Sequence, residues 1–291
     1  LKDSKIAPPL VKLARALGLP KVSLSVRDLR KETEAFRGKD TDLPKTNRNN
    51  VGAMLIETQK LSVNYQQRLA LKPLDIQIKS GEIVALMGRN GAGKSSLLKA
   101  LLDVVPFEGK VNRTAKKIGY IPQDANDLLY LQSVSAECEQ TDKDNDLPSG
   151  STANLLKEIA PNISLQSHPR DLSEGQRLAL VLALVLAPKP DLLILDEPTR
   201  GLDYQTKSLL VSQLTARAKD SAAVIIATHD VELVAELANR IVILADGELV
   251  ADGPAIDVLL SSPAFAPQVT KVMSPRRWLT VNDVIKSLDQ E

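Results

Sequence analysis

Residues 88–95, GRNGAGKS, have the types and spacing of a loop that binds a phosphate chain. They match the pattern G-x-x-x-x-G-K-S/T, in which glycines let backbone N–H groups turn inward around phosphate oxygens. A helix that opens at Ser95 adds the positive potential of its N-terminus. The Lys94 ammonium can reach the β- and γ-phosphates, and the Ser95 hydroxyl can ligate Mg²⁺. The motif therefore predicts a site for a phosphate chain with its magnesium ion.

Two acidic residues at the end of an apolar strand form the second chemical pattern. The run LLIL, residues 192–195, is followed directly by Asp196 and Glu197. Parallel sheets bind ligands at the carboxyl ends of their strands, so both carboxylates are expected at the site. Asp196 suits the binding of Mg²⁺, directly or through water. Glu197 suits the orientation and deprotonation of an attacking water molecule.

The elements that must position these residues alternate between strands and helices. The pattern predicts strands over residues 51–56, 74–78, 82–87, 118–121, 192–195 and 224–227, and a hairpin of 241–244 with 248–250. It predicts helices over residues 95–104 and 175–187. Continuous apolar strands that alternate with helices indicate a parallel sheet covered on both faces. The polar stretch TDKDNDLPSGST, residues 141–152, is predicted to be a solvated loop.

The composition is that of a globular protein and excludes several classes. Of the 291 residues, 43% are hydrophobic and 25% are charged, which excludes general disorder. There are 37 basic against 36 acidic residues, so strong nonspecific binding to nucleic acid is not expected. The single cysteine, Cys138, excludes internal disulfides and a Cys-rich zinc site. The longest apolar run, residues 178–187, is shorter than the roughly 20 residues that span a bilayer. With no signal-peptide pattern in the sequence, the cytoplasm is the expected compartment.

The two ends of the chain carry similar helical patterns. Ala7-Pro8 and the later LSVRDL, residues 24–29, are echoed by Ala266-Pro267 and LTVNDV, residues 279–284. In each copy Ser or Thr precedes an acidic residue by three positions, which predicts a capped helix start. The likeness is either a coincidence between two amphipathic segments or a sign that both segments are the tails of similar domains.

The second alternative predicts a division of the chain. Residues 1–53 would comprise the tail of a preceding domain, residues 1–37, and a polar linker, residues 38–53. Residues 54–262 would be the main domain, and residues 263–291 its own helical tail. The chain opens with Leu1 inside an amphipathic pattern, which also favours a fragment of a longer chain.

A third motif makes a family resemblance specific. Residues 172–177, LSEGQR, look like the LSGGQ signature of ATP-binding-cassette (ABC) ATPases. Ser173 and Gly175, which the family places at the γ-phosphate, are both present. Glu174 stands where the family usually has glycine, and its carboxylate near phosphate is expected to be repulsive unless it points away.

Four more residues match the family in its own order. Gln123 ends IGYIPQ and resembles the glutamine of the Q-loop, and Asp203 in GLD resembles the aspartate of the D-loop. His229 ends VIIATH and resembles the switch histidine. Tyr65 lies where the family has an aromatic residue that stacks on adenine, although a strand aromatic packed in a core is the alternative. Together, these motifs cover residues 54–252.

The resemblance implies an α/β fold of the P-loop NTPase type, with a mostly parallel core sheet, an antiparallel β subdomain and a helical subdomain over about residues 124–188. It implies ATP and Mg²⁺ as the bound cofactors and ATP hydrolysis as the activity. The residues implied for catalysis are Glu197, His229 and Gln123. Those implied for nucleotide binding are Tyr65, Gly88, Asn90, Gly91, Gly93, Lys94, Ser95, Ser96, Ser173, Gly175, Gln176 and Asp203. Those implied for Mg²⁺ are Ser95, Gln123 and Asp196.

Within the family, the segment that ends in EPTRGLD is similar to ATPases of energy-coupling factor (ECF) transporters, which import vitamins and metal ions. This subfamily implies a second ABC cassette, upstream in the same full-length chain, so that both nucleotides are sandwiched between cassettes. It also implies a transmembrane coupling subunit, a substrate-binding membrane subunit and a place at the cytoplasmic face of the cell membrane. Residues 124–130 would form the groove for a helix of the coupling subunit, or else a solvated loop.

The rival class is a soluble ABC protein such as an ABC-F translation factor. The cassettes of ABC-F proteins resemble this chain. However, ABC-F proteins typically join their cassettes with a long, charged helical linker, and they bind ribosomal RNA. Here the linker is short and polar and the net charge is +1, so no nucleic-acid partner is expected. A third class, the repair and chromosome ABC proteins, splits its cassette with coiled coils, whose heptads the sequence lacks.

Overall fold

Ten strands and eleven helices form the part of the chain that the computed structural model describes, residues 7–20, 23–37, 52–66, 68–199 and 202–288. The strands are β1 (Met54–Tyr65), β2 (Arg68–Leu74), β3 (Gln77–Lys79), β4 (Ile83–Met87), β5 (Glu108–Arg113), β6 (Ile118–Ile121), β7 (Leu192–Asp196), β8 (Ala223–Ala227), β9 (Arg240–Ala245) and β10 (Glu248–Pro254). The helices are α1 (Pro9–Ala16), α2 (Val26–Glu32), α3 (Lys94–Leu101), α4 (Val134–Asp144), α5 (Ser151–Ile159), α6 (Glu174–Leu186), α7 (Tyr204–Lys219), α8 (Val231–Leu237), α9 (Ala255–Ser261), α10 (Gln268–Met273) and α11 (Val281–Leu288). Among these residues, no helix has the length and apolarity that crossing a membrane requires.

The larger sheet has six strands in the order β10-β9-β4-β8-β7-β6. Its strands run parallel except β10, which returns antiparallel to β9. Every residue of β4, β7 and β8 is buried, because this sheet has a separate apolar core on each face. The predicted parallel sheet is therefore confirmed. The predicted hairpin is also present, with Asp246 and Gly247 at φ values of 49° and 77°, as tight hairpin turns favour.

The smaller sheet is antiparallel and centres on β1, which pairs with β2, β3 and β5. The predicted strands here were wrong in extent. β1 runs on to Tyr65, the stretch predicted as one strand over 74–78 is broken between β2 and β3, and β5 was not predicted. Lys60 has a φ of 51°, and β1 shifts register beside it against both β2 and β5. Such bulges break the two-residue alternation that reveals a strand in a sequence.

Helices α4, α5 and α6 follow Gln123 and pack against one another through a shared apolar core. Helix α6 is almost wholly buried beyond its first turn, because the run 178–187 is apolar on every side. The helix that carries the LSEGQR motif at its start is therefore fixed between the sheet and the two helices before it.

The prediction of a solvated loop over residues 141–152 is wrong. This stretch contains the last turn of α4, a short turn and the start of α5. Asp142 is buried, and its carboxylate accepts hydrogen bonds from the Gly150 N–H at 2.7 Å, the Thr152 N–H at 2.9 Å and the Thr152 hydroxyl at 2.6 Å. One acidic side chain thus joins two helices and satisfies the exposed donors at the start of α5.

The two terminal segments pack together into one small helical unit. α1 contacts α10 and α11, and α2 contacts α10. They share an apolar cluster whose buried members are Leu10, Leu13, Ala14, Leu17, Leu29, Val269, Val272, Met273, Trp278 and Val284. Most of the predicted linker, residues 38–51, lies outside the described residues.

The predicted capped helix starts are present at both ends. The Ser25 hydroxyl accepts from the Asp28 N–H at 3.4 Å, and the Thr280 hydroxyl accepts from the Asp283 N–H at 3.2 Å. The fourth residue after each cap, Leu29 or Val284, is fully buried in the shared cluster. The two segments with similar sequences therefore share a helix cap and a buried apolar residue four positions later.

Candidate active site

The loop of residues 88–95 joins β4 to α3 and has a backbone shape that only glycine tolerates at two positions. Gly88 has a φ of 149°, and a Cβ atom there would lie 2.3 Å from the carbonyl oxygen of Leu244. Gly93 has a φ of 102°, and its Cβ atom would lie 2.7 Å from the carbonyl oxygen of Ala70. The loop therefore turns tightly into the helix, as a phosphate cradle requires.

Lys94 lies at the base of this loop and is only 6% exposed. Its ammonium group donates to the Gly88 carbonyl at 2.8 Å and lies 3.8 Å from Oε1 of Glu197. The Lys94 side chain thus reaches across the loop in which it is predicted to bind phosphate. The ion pair of Lys94 and Glu197 therefore joins the loop after β4 to the acids at the end of β7.

The strand acids lie where β7 ends, beside the end of β8. Asp196 is buried, whereas Glu197 has a φ of 49° and donates its N–H to the Ala227 carbonyl at 2.8 Å. Nδ1 of His229, two residues after β8, lies 2.8 Å from Oε2 of Glu197. The other oxygen, Oε1, is buried and has no hydrogen-bond partner within the described part of the chain. Oε1 faces the Lys94 ammonium group at 3.8 Å, beyond hydrogen-bond distance. A carboxylate held by one oxygen, with no hydrogen bond at the other, can accept a proton from water.

A cavity of about 570 Å³ brings most of the predicted residues together. It is lined by Tyr65, Arg68, Ala70, Asn90, Gly91, Gly93, Lys94, Ser95, Ser96, Gln123, Asp196, Glu197 and His229. Gly88 does not line the cavity, but its carbonyl accepts from the Lys94 ammonium group. The cavity offers what ATP and Mg²⁺ require: a glycine cradle at a helix start, a buried ammonium group, and oxygen donors from Asp196, Ser95 and Gln123.

Sequence reasoning missed Arg68, the first residue of β2, which lines the same cavity three residues after Tyr65. The sequence carries only a weak signal for Arg68, because a single arginine beside a strand of unpredicted extent looks like any cation on a protein surface. Tyr65 itself is 41% exposed and lines the cavity rather than a core, which removes the alternative of a packed strand aromatic.

The signature residues do not line this cavity. Ser173 caps α6 by accepting from the Gln176 N–H at 3.3 Å, and the Gln176 side chain accepts from the Ser173 N–H at 3.0 Å. A Cβ atom on Gly175 would lie 2.7 Å from the Thr206 hydroxyl, so α6 approaches the start of α7 closely there. Asp203 caps α7, and hydrogen bonds from the backbone and hydroxyl of Thr206 lower the pKa of its carboxyl.

Residues 71–200 match the family model described as ABC transporter. These residues belong to an ABC transporter ATPase domain. The predicted fold class, the ATPase activity and the cofactors ATP and Mg²⁺ are those of this family, and they agree with the cradle, the strand acids and the cavity described above.

Relatives and solved structures agree with this assignment. A Streptomyces coelicolor protein named as an ABC transporter ATP-binding protein is 51% identical over 245 residues, which are 80% of this chain and 44% of the relative. The energy-coupling factor transporter ATP-binding protein EcfA of Methanothermobacter thermautotrophicus is 29% identical over 70% of this chain and 72% of its own length. The structure of cbiO1 from Clostridium perfringens, part of the ABC transporter complex cbiONQ, aligns with a TM-score of 0.65 and 26% identity, over 75% of this chain and 95% of that one. The chain spans about half the length of the curated relatives first matched, between 44% and 58%.

Proposed function

We propose that this domain hydrolyses ATP with Glu197 as the base that orients and deprotonates the attacking water. The observation that carries this role is the Glu197 carboxylate, which is held by His229 at one oxygen. The other oxygen is buried, lacks a hydrogen-bond partner among the described residues, and faces the Lys94 ammonium group at 3.8 Å. Lys94 binds the β- and γ-phosphates once a nucleotide replaces its contact with the Gly88 carbonyl.

The same cavity supports a magnesium site. Asp196, Ser95 and Gln123 line it together and would hold Mg²⁺, with Asp196 as the charged ligand. The ion, when bound, offsets the negative charge of the phosphates. Tyr65 stacks on the adenine ring and His229 keeps Glu197 in place, while Asn90, Gly91, Gly93 and Ser96 complete the phosphate cradle.

Two variants separate binding from catalysis. Glu197→Gln keeps the size of the side chain but removes the base, so ATP binding is retained while turnover falls by roughly 10²-fold or more. Lys94→Ala removes the phosphate contact and weakens ATP binding instead. Binding is measured with a fluorescent ATP analogue and turnover by phosphate release. Glu139→Gln, an exposed site on α4, is the matched control and leaves both unchanged. Parental turnover by Glu197→Gln would overturn the assignment of the base.

A second cassette completes the site in this proposal. Ser173, Gly175, Gln176 and Asp203 lie away from the cavity of their own chain, as expected if they contact a nucleotide held by an opposing cassette. The purified chain alone is then a poor ATPase. Adding the partner cassette raises turnover well above the sum of the parts. Full activity from strictly monomeric protein would contradict the sandwich.

The partner cassette is proposed to precede this one in a longer chain, with residues 1–37 as the tail of the first cassette. Support comes from the terminal helices, which share capped starts and buried positions, and which pack onto each other. The mutual packing would then hold the two cassettes together at their tails. The tail of the first cassette and the tail of this one would form a joint unit.

The transporter is proposed to be an ECF-type importer of vitamins or metal ions, with this chain at the cytoplasmic face of the membrane. The chain is similar to EcfA and to cbiO1, and the matches extend over most of the length of each. This likeness supports an ECF transporter over a translation factor. Partners are then a transmembrane coupling subunit and a substrate-binding membrane subunit. ATP-dependent co-sedimentation with ribosomes, without association with membrane subunits, would overturn this class.

The coupling surface is proposed to be the groove after Gln123. A second cavity, of about 590 Å³, is lined by Gln123, Asp124 and Asp127 on one side and by α6 on the other. Tyr130 is 74% exposed beside it, and its hydroxyl donates to the Asp127 carbonyl. An apolar rim with acidic groups fits a short helix that carries an arginine.

The test of this groove is a paired substitution. Asp127→Arg combined with Leu128→Ala is expected to abolish association with the coupling subunit and substrate uptake, while ATP binding stays within about two-fold. Association is measured by co-purification and uptake in reconstituted vesicles. Asp144→Arg, an exposed acid on α4, is the control. Unchanged association and uptake in the double variant would rule out the groove.

A further inference from the structure

An ion pair joins the helix that begins after Asp203 to the segment that carries His229. Nζ of Lys207, in the first turns of α7, lies 2.5 Å from Oδ2 of Asp230. The Lys207 and Asp230 side chains are 30% and 16% exposed. Asp230 directly follows His229, and the Lys207 N–H donates to the Asp203 carbonyl at 3.0 Å. Two loops that meet at the site are therefore connected through one contact between charged side chains.

Asp230 divides its two oxygens between two tasks. Oδ1 caps α8 by accepting from the Glu232 and Leu233 N–H groups, each at 3.2 Å. The backbone N–H of Asp230 donates to the Thr228 hydroxyl at 3.1 Å, and Thr228 is fully buried directly after β8. Oδ2 is left for Lys207. The helix cap therefore does not require Lys207. The ion pair between Lys207 and Asp230 must have a role other than capping α8.

His229 has little else to hold its side chain. The imidazole is 73% exposed, and its contact within the site is with Oε2 of Glu197. The position of the ring then depends on the backbone, which is held on one side by buried Thr228 and on the other by Asp230. A partly exposed ion pair contributes little to overall stability, but it can fix the position of a neighbouring group.

We propose that Lys207 is a positioning residue for ATP hydrolysis, which acts through Asp230 to set the position of the His229 ring against Glu197. This inference rests on the proposed role of His229. Any shift of α7 is passed to His229 through the ion pair, so the start of α7 and the catalytic pair move as one unit. Lys207 itself contacts neither nucleotide nor water.

The test uses the only two histidines of the chain, His229 and His168. In NMR spectra of the imidazole groups, His168 serves as an internal reference, because it lies at a separate cap where its Nδ1 accepts from the Arg170 N–H. Lys207→Met is expected to displace the His229 signals and leave those of His168 in place. Lys207→Arg, which keeps the charge, restores the His229 signals. Lys219→Met, an exposed lysine in the last turn of the same helix, changes neither.

Turnover in the assembled two-cassette protein gives a second readout. Lys207→Met is expected to lower kcat by roughly ten-fold while the KM for ATP stays within about two-fold, because the contact serves the chemical step and not binding. Lys207→Arg is expected to recover most of kcat.

The outcomes separate this inference from the proposed function. If His229→Ala lowers turnover but Lys207→Met leaves the His229 signals and kcat unchanged, Lys207 has no positioning role and the role of His229 stands. If His229→Ala retains parental turnover, both the role of His229 and this inference are wrong. If Lys207→Met displaces the signals of both histidines, the effect is a general disruption and contradicts a specific role.

Discussion

Replacement of Asp142 by alanine is expected to destabilise the helices after Gln123 by about 2–4 kcal/mol. The carboxylate is 4% exposed and accepts three hydrogen bonds, from Gly150 and from both donors of Thr152. A hydrogen bond to a charged group contributes about 1.5–3 kcal/mol, and unpaired buried donors add a penalty. The destabilisation is expected to be smaller than the sum of the three hydrogen-bond contributions, because these contributions are not additive and desolvation of the carboxylate opposes them.

Amide hydrogen exchange of the α5 segment Ser151–Ile159 measures this local loss directly. The only tryptophan, Trp278, lies in the terminal helices and does not report on α5. Asp144→Ala on the same helix is the matched control, because Asp144 is exposed and bonded only to Gln140 in the described structure. It is expected to change stability by less than about 0.5 kcal/mol. Equal protection of α5 in the two variants would refute the reasoning.

The same contacts set a pH dependence. Burial alone would raise the pKa of Asp142, but the hydrogen bonds from Thr152 and Gly150 outweigh it and lower the pKa. A lowered pKa in the folded state means that the contribution is complete above the unfolded value of about 3.9 and is lost as the pH falls through the folded value. The difference between the parent and Asp142→Ala should thus be constant from pH 7 to 5 and shrink only below about pH 4.

Three further perturbations test other parts of the molecule. Gly93→Ala forces a Cβ atom to 2.7 Å from the Ala70 carbonyl, so ATP affinity should fall by roughly ten-fold or more in a fluorescent-nucleotide titration, whereas Gly150→Ala, with open space around it, should not alter it. Burial raises the pKa of the Cys138 thiol to about 12, so the folded protein should resist alkylation at pH 8 and react in denaturant; rapid reaction of the native form would contradict this. Leu29→Ala removes a fully buried side chain from the terminal cluster and should cost about 2–4 kcal/mol, seen as a lower thermal midpoint for the Trp278 signal; an unchanged midpoint would show that the terminal helices do not stabilise each other.

Local sequence was sufficient for the parallel sheet and for the residues around the phosphate loop. Strands such as β7 and β8 are buried on both faces, so their residues are apolar without interruption and stand out in the sequence. The loop between β4 and α3 is recognisable for a similar reason, because its glycines are required by backbone geometry and its lysine by charge. The strand acids follow from their place at the end of β7.

Other features depend on contacts that the hydrophobic pattern of the sequence does not reveal. β1 bulges at Lys60 and loses its alternation, and the acidic turn around Asp142 looks solvated until Gly150 and Thr152 are seen to surround it. In both cases the stabilising contacts are not ones that a hydrophobic period reveals: β1 pairs with β5 about 50 residues later, and the contacts of Asp142 are hydrogen bonds between polar groups.

The sequence by itself predicted which residues bind phosphate, hold a magnesium ion and activate water, because those tasks depend on side-chain chemistry and on short spacings. Only the tertiary structure decided how they meet: that Nδ1 of His229 lies 2.8 Å from Glu197, that Arg68 joins the cavity, and that Lys207 reaches Asp230. Those contacts arise where the ends of separate strands and helices are brought side by side by the order of strands in the sheet. Strand order is set by the packing of whole faces, and no local pattern of residues contains it.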